Sequence, residues 1–155
     1  MTQLAYGGHG FETDGLVAEV KKLILLETLV AHAYQAIDDA IDDQGTRVQL
    51  RAFGRVHERN ACALTRCLCW QSPAATDLSP EPQTSTEGTI GGLTPIMAMW
   101  LNEDETARGY EVLLERPIRE PHLKQALLKG LEDARRHWAW LTLQVQPLAR
   151  YQARA

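Results

Sequence analysis

The stretch from Thr94 to Leu141 reads TPIMAMWLNEDETARGYEVLLERPIREPHLKQALLKGLEDARRHWAWL. It decides the fold, because it carries two helical periods separated by a short break marked with prolines. Thr94-Pro95 is an N-cap residue followed by proline at the first helical position. From there Ile96, Trp100, Glu103, Ala107, Tyr110 and Leu114 recur at a 3–4 spacing, which predicts a helix to about Glu115. Pro117 stops it, since proline cannot donate the next helical hydrogen bond. Pro121 opens a second period of Leu123, Leu127, Gly130, Ala134, His137 and Leu141, running to about Gln146 ahead of Pro147. So short a break makes the two helices an antiparallel hairpin.

The upstream sequence repeats this plan. A first helix is expected from about Leu16 to Asp42, with Leu16, Val20, Leu23, Glu27, Val30, Tyr34, Ile37 and Ile41 on one stripe. Asp43-Gln44-Gly45 ends it with a glycine terminator. A second helix follows from about Thr46 to Gln71, with Leu50, Phe53, His57, Asn60, Leu64 and Cys67 on its stripe. Leu26, Leu128 and Leu131 widen the apolar faces to what a bundle needs. Residues 72–93, rich in proline, glycine, serine and threonine, form the connection between the hairpins. At about 3.3 Å per extended residue this connection can span a bundle end to end. The reading is therefore all-α: a four-helix bundle of two antiparallel helical hairpins joined by a long crossover loop. One bundle domain covers 16–146, between a flexible arm at 1–15 and a C-terminal tail at 147–155.

Composition excludes several function classes. The chain has 155 residues, of which 45% are hydrophobic and 23% charged, enough for one domain with a real core. A net charge of -4 without a basic patch argues against nucleic acid as a partner. The longest apolar run, Leu23 to Ala33, is broken by Glu27 and is too short to cross a bilayer. The opening residues lack the basic start and apolar stretch of a secretory leader. Cys62, Cys67 and Cys69 are odd in number and clustered, unlike a disulfide framework, so a reducing cytoplasm is expected. Their spacing matches no zinc signature, and they read as buried small hydrophobes. Trp100 is a core residue by phase, and Trp138 and Trp140, two apart, cannot both face the core. One of them is a candidate interface residue. No phosphate-binding glycine loop or nucleophile elbow occurs.

The chemistry lies in polar residues on the core stripes. Counting from turns near residues 44 and 118 puts Glu27 opposite His57 and Asn60, and Glu103 opposite Ala134 and His137. Glu27, His57, Glu103 and His137 then share one central layer. Carboxylates and imidazoles converging in a bundle core hold metal ions, in the fullest case two ions on four carboxylates and two histidines. This layer has two carboxylates and two histidines. Three readings follow: a metal-free layer in which Glu–His pairs satisfy one another, one zinc or iron ion on Glu27, His57, Glu103 and His137, and, least supported, a two-iron oxidase. Glu103 also lies in Asn102-Glu103-Asp104-Glu105, a charge run of the kind that faces solvent.

The segments MWLNEDETARGYEVLLERP at 99–117 and LLKGLEDARRHWAWL at 127–141 resemble a bacterial branch of the ferritin-like superfamily. Its third helix carries Asn-Glu-Asp-x-Thr-x-x-x-Tyr and its fourth Asp-Glu-Arg-Arg-His-x-x-Trp. FGRVHERNACAL at 53–64 resembles that branch's Asp-His-Glu-x-His pattern. The resemblance implies a ferritin-like, self-associating four-helix bundle, a homodimer or a subunit of a larger complex, with metal bound through Glu103, His57 and His137. Val56, Asn60 and Ala134 stand where the patterns have an acid, a histidine and a glutamate. The expectation is a degenerate metal centre in a mainly non-catalytic binding or interaction protein, with a single-ion protein of metal or stress handling as the alternative.

Overall fold

The computed structural model describes residues 10–71 and 94–152, with side chains at 15–69 and 94–145. These residues form α1 (Gly10–Ala36), a one-turn 3₁₀ segment (Asp38–Ala40), α2 (Gln44–Gln71), α3 (Pro95–Leu114) and α4 (Pro121–Gln152). No strand occurs among the described residues, which are all-α as expected. No helix there is long and apolar enough to cross a membrane. The crossover expected at 72–93 lies outside the described residues.

Helix starts follow from side-chain caps. Thr94 accepts a hydrogen bond from the Met97 backbone N–H at 3.3 Å, with Pro95 next in line. Glu120 caps α4 by accepting from the backbone N–H groups of His122 and Leu123. Between α1 and α2, the Asp43 carboxylate accepts from Thr46 N–H at 2.6 Å. That cap starts α2 at Gln44 and places Gly45 inside its first turn, so Gly45 is not the terminator of α1 that the sequence suggests. Arg51 grips Asp38 with two guanidinium nitrogens and pins the same turn.

Other boundaries differ as well. α1 begins at Gly10, within the segment expected to be an arm, and α4 continues past Pro147 to Gln152. A proline inside a helix removes one hydrogen bond and kinks the helix without having to end it.

α1 packs on α2 and α3, and α4 packs on α3 and α2. Contacts Glu27–Tyr110 and Tyr34–Glu103 run against the chain direction, so α1 is antiparallel to α3. It is antiparallel to α2 through Glu27–His57 and Tyr34–Gly54. The core has two apolar ends. Val20, Leu23, Ile24, Ala61, Leu64, Leu68, Leu113, Leu123, Leu127 and Leu131 fill one. Val30, Ile41, Leu50, Phe53, Met99 and Leu141 fill the other. At roughly 1.5–3 kcal/mol for each large side chain taken out of water, these ends supply the main drive to fold. Between them lies the polar layer, sealed from water on both sides. Leu128, expected to widen the core face, is 51% exposed.

Candidate functional site

Each helix brings one residue to the layer between the two apolar ends. Glu27 comes from α1, His57 from α2, Glu103 from α3 and His137 from α4, and none is more than 2% exposed. The depth counted from the two turns is therefore correct, and Glu103 is a core residue rather than part of a solvated face. Asn60 is only half-buried, and Ala134 is buried as a methyl group.

His57 is the hub. Its Nδ1 is hydrogen-bonded to Glu27 Oε2, and its Nε2 lies 2.8 Å from Glu103 Oε1. The two carboxylates thus occupy opposite edges of one imidazole. His137 Nδ1 reaches the same Glu103 oxygen at 3.1 Å. Two tyrosines complete the carboxylate shells. Tyr34 O–H donates to Glu103 Oε1 at 2.5 Å, and Tyr110 O–H donates to Glu27 Oε1. Glu103 Oε2 is buried and has no hydrogen-bond partner. The ring of His137 stacks on Phe53 at 3.9 Å between centroids, and Tyr34 stacks on His57 at 5.5 Å.

These contacts set the charges. Burial opposes a proton on His57, but hydrogen bonds to Glu103 and Glu27 and their charges outweigh it, lifting the imidazole to about 10. His57 is therefore an imidazolium at neutral pH. Burial likewise pushes the Glu103 carboxyl upward. The hydrogen bonds from His137 and His57 overcome that push and hold it below the usual carboxylate range. Tyr34 and Tyr110 are pushed up strongly, first by burial and then by the neighbouring carboxylates, so both stay neutral donors.

His57, Glu103 and His137 can each offer one ligand atom, and these atoms all lie within 4.8 Å of one another. Donors around a tetrahedral ion bonded at about 2.0–2.2 Å stand roughly 3.3–3.6 Å apart. The group is close enough to that spacing for the three residues to hold one ion, and the unpartnered Glu103 oxygen is a further donor. A pair of iron ions does not fit. Two carboxylates are too few to bridge and neutralise two ions.

Sequence reasoning passed over Tyr34, Tyr110 and Gly130. A tyrosine on an apolar stripe reads as ordinary core. The signal was a repeated spacing, since a tyrosine follows the stripe glutamate by seven residues in both α1 and α3. A Cβ on Gly130 would lie 2.1 Å from Tyr110 Cζ, so glycine there makes room for the ring. Asp133 is also buried, paired with Lys129 Nζ at 2.6 Å.

The remaining residues divide. Cys67 and Cys69 are half-buried free thiols, while Cys62 is exposed and not the buried small hydrophobe expected. Trp100, Trp138 and Trp140 are all half-buried. Trp100 and Trp140 pack on the second apolar end, and Trp138 lies beside Trp100 at 5.8 Å. The chain matches no protein-family model, no curated protein and no solved structure. The described residues define an all-α class, a bundle of four helices around a sealed two-histidine, two-glutamate layer.

Proposed function

We propose that this chain is a ferritin-like, non-catalytic binding protein whose central layer takes one transition-metal ion, zinc or ferrous iron. His57, Glu103 and His137 are the ligands. The observation that carries this reading is their convergence on one point, with a second Glu103 oxygen buried and unpartnered. Mixed imidazole and carboxylate donors suit both ions. An ion held there would tie α2, α3 and α4 together. The crossover topology at 72–93, the cytoplasmic setting and self-association belong to the same reading. Free thiols fit a reducing compartment. Leu25 and Leu29, one turn apart on α1 and each about half exposed, suit a homodimer contact.

A metal-free layer is the second reading, and a specific observation favours it. His57 as an imidazolium already donates to both carboxylates. The two readings differ by a proton, because an ion can bind only after His57 gives its proton up. With that imidazole raised to about 10, its proton competes with the metal at pH 7 and weakens binding. Zinc and ferrous iron titrations of the purified chain, run from pH 6 to 9, test this. The expected result is one ion per chain, bound about tenfold more tightly per pH unit, and no binding by His137→Ala. Saturating metal without a bound ion at pH 9 leaves the metal-free layer.

A further inference from the structure

Glu27 stands outside the ligand cluster, and its position suggests a different task. It holds the His57 nitrogen on the ring edge away from Glu103. A histidine that binds metal through one nitrogen is commonly oriented by a carboxylate on the other, which also raises its basicity. Glu27 has its own support, since its second oxygen accepts from Tyr110 O–H. Tyr110 is fully buried, and its ring occupies the space left by the missing side chain of Gly130.

We propose that Gly130, Tyr110 and Glu27 form a positioning relay that aims His57 Nε2 at the ion and sets the affinity of the centre. The inference rests on the single-ion reading. Glu27 is then a positioning residue and not the fourth ligand. The relay crosses the bundle from α4 to α3 to α1 to α2, so one affinity depends on packing in all four helices. Tyr110 acts through its hydroxyl, while its ring serves the apolar end formed with Leu123 and Leu127.

Cobalt(II) and zinc binding to the full chain test the relay, read by the visible cobalt spectrum and by competition with a chromophoric chelator, with each affinity measured across pH and corrected for the proton released on binding. Tyr110→Phe keeps the ring and removes the donor. Glu27→Gln keeps the shape and removes the charge. Each is expected to bind about 10–100-fold more weakly with one ion still bound per chain. Ile41→Ala, in the apolar end that does not include Tyr110, is the structural control. Ile41 is buried and lies sixteen residues before His57 in the chain, and its truncation lowers stability without changing affinity. Gly130→Ala adds a third loss if it folds, and the relay stands on the other two variants if it does not. Unchanged affinity in both Tyr110→Phe and Glu27→Gln overturns the relay and leaves the ion. An equal loss in Ile41→Ala also overturns it, because the effect is then general loosening. Failure of the unaltered chain to bind either metal removes the single-ion reading, and the relay with it.

Discussion

In α1 Tyr34 follows Glu27 by seven residues, and in α3 Tyr110 follows Glu103 by the same seven. Each tyrosine donates across to the glutamate of the other hairpin. Each histidine turns Nδ1 toward the glutamate of its own hairpin, His57 toward Glu27 and His137 toward Glu103. The α1–α2 and α3–α4 hairpins thus bring the same three residue types into nearly exchanged places. They part at the remaining histidine nitrogen. His57 Nε2 reaches Glu103 and closes a bridge between both carboxylates, while the His137 ring lies flat on Phe53. Two buried carboxylates need a cation between them, and the α2 histidine supplies it. Similar parts on the two hairpins therefore yield one proton-holding histidine and one that serves a single glutamate.

Removing each histidine in the metal-free protein breaks that asymmetry most sharply. His57→Ala leaves Glu27 and Glu103 buried with no shared cation, a loss of about 3–5 kcal/mol. His137→Ala leaves Glu103 still bonded to His57 and Tyr34, and costs about 1–3 kcal/mol. Urea unfolding measures both, and equal losses would mean that the bridge does not carry the charge balance.

The pH response separates the two hairpins next. The folded chain holds the His57 proton to about 10, against 6.5 for an ordinary histidine, so protonation favours the folded state. This stabilisation is complete below about 6.5, declines as pH rises, and is gone above about 10. One proton gives about a tenfold fall in the folding equilibrium per pH unit across that window. Glu103 acts on the acid side, where its lowered carboxyl stabilises the fold at neutral pH and loses that effect as pH falls through its folded value. Metal-free unfolding curves from pH 6 to 10 should show the alkaline decline in the parent and in His137→Ala. The decline should be absent from a His57→Gln variant.

Much of this centre is legible in the sequence. Glu27, His57, Glu103 and His137 interrupt apolar stripes, and a polar residue at a core phase is conspicuous because burying it costs energy. Their common depth followed from counting back from two short turns. The tyrosines were not legible in the same way. Tyr34 and Tyr110 fit their stripes as apolar rings, and where a hydroxyl points depends on how one hairpin slides against the other. Spacing within a helix carries no such register. Leu128 failed for a related reason, since the width of the buried face is set by how α2 and α4 cross. Gly45 misled because glycine ends helices more often than it begins them, while the Asp43 cap that decides the start is a side-chain bond.

The two glycines that face the tyrosines give the finest comparison. Alanine is favoured over glycine in a helix interior by about 0.5–1 kcal/mol, so either substitution begins with a gain. At position 130 the new Cβ would meet Tyr110 Cζ at 2.1 Å and its hydroxyl oxygen at 2.2 Å. The ring cannot move away without giving up its bond to Glu27. Gly130→Ala should therefore lose about 1–3 kcal/mol net through overpacking. At position 54 the nearest atom is Tyr34 Cβ at 3.2 Å, followed by the Ala31 carbonyl oxygen at 3.6 Å. Relief there needs only a few tenths of an ångström between α1 and α2, which the propensity gain nearly offsets. Gly54→Ala should stay within about 1 kcal/mol of the parent. Urea midpoints rank the pair, and a Gly130→Ala protein as stable as Gly54→Ala would show that the Tyr110 ring has room to spare and that glycine does not hold it against Glu27.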